Sequence, residues 1–269
     1  MSNFKYYAGR GNLACTIFVP YDCNNHCPFC TSKHMYKHMD VDLQQLLQWI
    51  EQINNCSAVT EFVITGGEPF ADLETLKKII NVCNKTVFIN TTLPLQDNLS
   101  EIIEYINTED KIKGISISRH MNYKLPSIAS KEQISQIIKP IRINSVVSNN
   151  ELIIPFINEW KDVGLVNLRA DYRKITFESL KIKDDVDDLL LSQYYYKGTN
   201  CCMVCNSEFF GLDDFTVCYH RGLELSSLQY GNKVYVNDVL IYPNGNIAYD
   251  WDKRTSDDFI NALITNQIL

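Results

Sequence analysis

Cys23, Cys27 and Cys30 sit on one short stretch, spaced C-x3-C-x2-C, with Phe29 directly before the last of them. Three thiolates this close hold three irons of a cubane and leave the fourth without a protein ligand. A small molecule can then chelate that open iron directly. A closed zinc site needs four protein ligands, and His26 or His34 would supply the fourth, so the loop alone leaves zinc open. Gly66-Gly67-Glu68-Pro69 is a second chemical feature. Glycines let the backbone come close to a ligand, and main-chain acceptors beside a carboxylate suit an ammonium group. Read alone, the same tetrapeptide is an ordinary turn.

A further group lies near the other end of the chain. Cys201, Cys202 and Cys205 are followed by Cys218 and, two residues on, His220. Counted from Cys202 this is C-x2-C-x12-C with a trailing histidine, which is ordinary zinc grammar. Cys201 is an alternative ligand or an additional one. The plainest alternative packs these cysteines as small hydrophobes.

The elements around these residues determine what they can do. From about residue 13 to 170, short β-branched runs at 13–19, 61–65, 86–90, 112–118, 141–147 and 165–169 alternate with stretches of helical period at 41–53, 73–82, 99–106, 131–138 and 152–163. Strands alternating with helices imply βα units and a parallel sheet. The expected fold class is α/β, a partial (β/α)6 barrel of the TIM type with ligands at the C-terminal strand ends. Both the cysteine loop and the glycine pair fall at such ends. The regularity stops after Arg173; 181–190 reads as a polar connector or helix start, and Tyr194–Tyr196 as core and interface packing. Runs at 234–242 and 247–251, joined through Asn244-Gly245, read as a β-hairpin. The chain divides on this reading into a core, 1–180, and a cysteine-bearing extension, 181–269.

Composition sets the surroundings. With 269 residues there is length for a sizeable core. A net charge of -7 excludes a general nucleic-acid surface, though a small nucleotide substrate stays compatible. No apolar run approaches the roughly 20 residues that span a bilayer, and the first residues lack a secretory signal. The expected location is therefore cytoplasmic, where thiols stay reduced, and ten cysteines argue for metal ligation over disulfides.

The cysteine spacing with its aromatic residue, followed at the end of the second strand by Gly66-Gly67-Glu68-Pro69, resembles the radical S-adenosylmethionine superfamily. That resemblance implies a [4Fe–4S] cluster on Cys23, Cys27 and Cys30, with S-adenosylmethionine on its open iron and Phe29 beside it. It implies that Gly66, Gly67, Glu68 and Pro69 meet the amino group of the methionine moiety. It further implies ribose contacts at Ser116 and Ser118, a polar pair aimed into the barrel mouth at Arg142 and Asn144, and a carboxylate contact at Arg169. The second cysteine group resembles the auxiliary-cluster extensions called SPASM or Twitch. One auxiliary Fe–S cluster on Cys201 or Cys202, Cys205 and Cys218, completed by His220, Asp250 or substrate, thus stands beside zinc on Cys202, Cys205, Cys218 and His220. The hairpin carries Asp250 where those extensions place a cysteine, so two further clusters are not expected.

The activity implied is reductive cleavage of S-adenosylmethionine and hydrogen abstraction from an organic substrate: a small molecule, nucleotide or peptide. An external one-electron reductant of flavodoxin or ferredoxin type is the implied partner. Two other functions fit the same residues: a glycyl-radical activating enzyme acting on a partner protein, and a metal-binding module without turnover. The complete cysteine and Gly-Gly-Glu-Pro motifs argue against the last.

Overall fold

Asp42, Asp72 and Ser130 each precede a run with apolar residues at helical spacing, and each caps a helix. The Asp42 carboxylate accepts from Gln45 N at 2.9 Å, opening α1 (Leu43–Ile53). The Asp72 carboxylate accepts from Thr75 N at 3.0 Å, opening α2 (Leu73–Val82). Ser130 and Gln133 form a reciprocal capping box at the start of α4 (Lys131–Ile134). Each cap satisfies backbone donors that a helix start leaves unpaired. The computed structural model describes residues 4–25, 27, 30, 32, 40–121, 123–170, 177–200, 207–220, 227–251 and 254–269, with backbone alone at 177–184 and 200. Phe29, Cys201, Cys202 and Cys205 lie outside these residues, as do His26 and His34.

β1 (Lys5–Ala8) carries no β-branched run to announce it; the strands that do fall where such runs place them are β2 (Leu13–Phe18), β3 (Val59–Thr65), β4 (Thr86–Thr91), β5 (Ile112–Ser118), β6 (Ile141–Val147) and β7 (Leu165–Ala170). Helices α3 (Leu99–Thr108) and α5 (Ile153–Trp160) complete the alternation. Strands β2 to β7 run parallel in chain order, each bonded to the next. This is a mixed α/β fold with a central parallel sheet, consistent with a partial barrel; the sheet does not close on itself. The main core gathers one face of these strands with the helix stripes, such as Leu46, Ile50 and Ile53 of α1. No helix of the described residues is long and apolar enough to cross a membrane.

Beyond the core come α6 (Phe177–Gln193), β8 (Tyr195–Asn200), β9 (Ser207–Leu212), β10 (Phe215–His220), β11 (Ser227–Tyr230), β12 (Lys233–Val236), β13 (Asp238–Ile241), β14 (Ile247–Ala248) and α7 (Asp257–Ile264). These strands extend the core sheet at both edges. β10 pairs parallel with β7, and β13 pairs parallel with β2. A separate sheet has the order β1-β12-β11.

Several boundaries differ from expectation for identifiable reasons. α4 ends at Ile134, after which the amides of Gln136 and Ile137 bond the carbonyls three residues back, at Gln133 and Ile134, and the turn tightens out of the α-helix. The run 234–242 breaks at Asn237, so β12 joins the small sheet and β13 the large one. The Tyr194–Tyr196 run divides: Tyr194 is buried, whereas Tyr195 and Tyr196 are exposed. The lone Cys15, Cys56 and Cys83 are buried thiols of the core, and burial pushes Cys83 up to about 12.

Candidate functional site

A parallel sheet brings the C-terminal ends of its strands to one rim, and the loops that leave them meet there. The Cys23–Cys30 loop leaves β2, and Gly66–Pro69 leaves β3. They touch through Gly67, where a Cβ atom would lie 2.1 Å from the Tyr21 carbonyl oxygen and 2.6 Å from the Asp22 carbonyl carbon. Only glycine allows that approach. Gly66 sits at φ 109°, a backbone conformation that side chains disfavour. The Tyr21 hydroxyl donates to Pro69 O at 2.6 Å and lies 3.1 Å from Asp72 O, fastening the loop to the turn.

Glu68 is buried, and four donors surround its carboxylate. Thr91 Oγ1 donates at 2.5 Å and Phe70 N at 3.2 Å to one oxygen. Thr92 N at 2.7 Å and Thr92 Oγ1 at 2.6 Å donate to the other. Burial raises its pKa, and these hydrogen bonds oppose the rise. The carboxylate therefore points into the protein, and what the turn offers at the rim is main chain. Asn25 Nδ2 approaches Thr92 Oγ1 at 3.2 Å, so the cysteine loop, the turn and the end of β4 form one bonded unit.

Arg119 completes the unit from the end of β5. It is 4% exposed and donates to Thr92 O at 2.7 Å, Ser118 O at 2.8 Å and Ala129 O at 2.9 Å. Its guanidinium also lies 5.7 Å from the centre of the Trp160 ring. Burial lowers its pKa to about 10 while the Glu68 charge opposes that fall. The next residue, His120, has Nε2 at 4.0 Å from Cys27 Sγ. Burial and Arg119 lower its pKa to about 4, so the ring is neutral near pH 7. Cys23 N donates to Asp22 Oδ1, and Asn25 N donates to Cys23 Sγ at 3.3 Å. Burial raises the Cys23 thiol, which favours the thiol form until a cation compensates the charge. Sequence reading missed Thr91, Thr92, Arg119 and His120; only their position at or just after strand ends marks them.

The remaining candidates lie on one face of the sheet. Ser118, Asn144, Asn167 and Cys218 are successive register partners across β5, β6, β7 and β10, and Arg169 partners His220. Side chains alternate along a strand, and the neighbours of this polar row, Ile117, Ile143, Val166, Leu168, Val217 and Tyr219, enter the main core. Asn167 Nδ2 donates to Asn144 Oδ1 at 2.6 Å. His220 Nε2 lies 3.5 Å from Cys218 Sγ, and its Nδ1 is hydrogen-bonded to Ser207 Oγ at 2.7 Å. Burial, then Arg169 and Arg142, lower the His220 pKa to about 3. Asp250 is fully buried and is bonded by Ser227 Oγ at 3.1 Å and Arg254 N at 3.0 Å, with an ion pair to Arg254. Its two oxygens thus tie Ser227 and Arg254 to the end of the hairpin. The cysteine loop and the Cys218–His220 pair stand at opposite ends of the row of core strands.

Residues 17–171, more than half of the 269, match the Radical SAM superfamily. The chain belongs to that superfamily. Enzymes of that superfamily use a [4Fe–4S] cluster and S-adenosylmethionine with an external reductant. Three cysteines on one loop, seated against a glycine turn, fit such a cluster in number and in kind. Among solved structures the chain is similar to Streptococcus suis SuiB. It aligns to SuiB bound to precursor peptide SuiA with a TM-score of 0.64 at 13% identity, over 98% of this chain and 66% of that one. It aligns to SuiB bound to S-adenosylmethionine with a TM-score of 0.61 at 15% identity, over 94% and 65%. SuiB itself gives 0.60 at 14% identity, over 95% and 65%, so this chain spans just under two thirds of SuiB. At these identities the likeness is one of fold. No curated protein sequence matches the chain.

Proposed function

We propose that this chain cleaves S-adenosylmethionine reductively and abstracts hydrogen from an organic substrate. When bound and reduced, a [4Fe–4S] cluster supplies the electron that divides S-adenosylmethionine into methionine and a 5′-deoxyadenosyl radical. Cys23, Cys27 and Cys30 would hold three irons on this reading, and Phe29, outside the described residues, is the motif's aromatic residue. The main chain of Gly66, Gly67 and Pro69 accepts hydrogen bonds from the methionine ammonium. Glu68 holds that main chain in place through Thr91 and Thr92. Ser118 and Asn144 orient the ribose, and Arg169 takes the methionine carboxylate as a guanidinium fork does. A flavodoxin- or ferredoxin-type protein delivers the electron. Residues 1–180 act as the core, and 181–269 as an extension with a second metal site facing substrate.

The observation that carries this reading is the contact at Gly67. It makes the cysteine loop and the glycine turn a single surface, as a ligand touching both an open iron and the turn requires. The test is 5′-deoxyadenosine formation by reconstituted protein reduced with dithionite. Wild type is expected to form it and Cys27→Ala to form none. Equal product from the two, or none from a fully loaded wild type, overturns the proposal.

A further inference from the structure

We propose that His120 donates an Nε2–H hydrogen bond to the Cys27 sulfur and so raises the reduction potential of the cluster that Cys23, Cys27 and Cys30 would hold. The inference rests on the cluster part of the proposed function. His120 Nε2 lies 4.0 Å from Cys27 Sγ. An iron-bound cysteine sulfur is a thiolate, which accepts hydrogen bonds and has no proton to give. Nε2 is therefore the donor, whatever the other ring nitrogen carries. Charge-assisted hydrogen bonds are shorter and about twice as strong as neutral ones, so a contact that is long at a thiol tightens at a thiolate. Cys27 is 9% exposed and His120 half-buried, so water competes little for the sulfur.

The fold fixes where this ring can reach. His120 sits between two anchored residues just after β5. Arg119 N donates to Asn144 O at 2.8 Å, and its guanidinium is bonded to Thr92 O, Ser118 O and Ala129 O. Met121 N donates to Ser145 Oγ at 3.3 Å. Thr92, which Arg119 holds, also meets the cysteine loop through Asn25 at 3.2 Å. One frame thus positions both the imidazole and the sulfur. Asn25 N, aimed at Cys23 Sγ at 3.3 Å, is a main-chain donor that any residue but proline supplies. The donor at Cys27 is a side chain, so its presence depends on residue type. Hydrogen bonds to the sulfurs help to set a cluster's potential. The reduced cluster carries one more negative charge, so it binds a donor more strongly than the oxidised one does.

The test is the midpoint potential of the cluster in anaerobically reconstituted full-length protein. It is read from the electron paramagnetic resonance signal of the reduced state, without S-adenosylmethionine. His120→Phe keeps a ring and removes the donor, whereas His120→Gln keeps an N–H at about the same reach. His120→Phe is expected to load iron as wild type does and to disfavour one-electron reduction about tenfold, the order of one hydrogen bond's net worth. That factor corresponds to about 59 mV. His120→Asn, too short to reach the sulfur, should show the same shift without the change in polarity. His120→Gln should recover most of it. Equal potentials in wild type and the two donor-lacking variants overturn the proposal. So does an equal loss in all three variants, which would assign His120 to packing alone. A wild type that holds no cluster overturns the reading of the cysteine loop and this inference together, whereas a cluster whose potential ignores His120 overturns this inference alone.

Discussion

A methyl group at Gly67 would have to fit 2.1 Å from Tyr21 O and 2.8 Å from Asp22 O. Both atoms are backbone, so neither can swing aside as a long side chain would. Gly67→Ala must therefore push the cysteine loop and the turn apart, while the core, which lies on the far side of β3, stays packed. The expected outcome is a folded protein that still loads iron but forms 5′-deoxyadenosine at least about 100-fold more slowly, the cost of misplacing reactants by about 1 Å. Product formation per loaded cluster measures this; an unchanged rate would remove Gly67 from the site. Gly67 and the three cysteines were legible in the sequence because their chemistry is fixed by residue type and spacing. Arg119 and Thr92 were not. A buried arginine bonded to three carbonyl groups reads in sequence as one more surface cation, since two of its partners, Thr92 and Ala129, come from other segments.

At the scale of elements, Asp72 joins the site to the scaffold. Its carbonyl lies 3.1 Å from the Tyr21 hydroxyl, and its side chain caps α2 just after the Gly-Gly-Glu-Pro turn. Hydrogen bonds from Thr75, backbone first, hold the Asp72 carboxyl below its ordinary value of 3.8. A carboxylate with a depressed folded pKa adds stability above its unfolded pKa and loses that contribution as pH falls through the folded one. Asp72→Ala is thus expected to cost about 1 kcal/mol at pH 7, the usual worth of an N-cap. The difference should narrow as pH falls from 3.8 toward the depressed folded value, because the unfolded chain takes up the proton first. Urea unfolding at pH 7 and at pH 3 checks the sign, and a difference that does not shrink in acid would assign the loss to something other than the cap. Elements of this kind were readable because caps and apolar periods are local. Strand β1 was not, since Lys5–Ala8 acquires its partner only when Lys233–Val236 arrives.

The whole molecule is organised by edges. A six-strand parallel core leaves open backbone on β2 and β7, and unpaired edges invite association with other chains. Residues after 194 cover both: β10 lies along β7, and β13 lies along β2. The chain end adds a further tie, with Leu269 N donating to Tyr6 O at 3.1 Å and Ala8 N donating to Leu269 O at 2.8 Å. Phe259 of α7 packs edge-on against Tyr6 at 5.2 Å between ring centres. No periodicity announces such pairings, because a parallel partner more than 200 residues away leaves no local pattern in either strand. The segment that reads in sequence as an appendage is, in its hydrogen bonding, part of the same sheet. A chain ending at Tyr194 should therefore fail as a folded unit, although every core strand is present. It would expose the β2 and β7 edges together with the part of the core that Val217 and Val239, both fully buried in the full chain, now cover. The expected result is aggregation on size-exclusion chromatography and loss of a cooperative thermal transition. A soluble, cooperatively folding 1–194 fragment that still loads iron would show that the core closes its own edges, and that the extension serves substrate and metal alone.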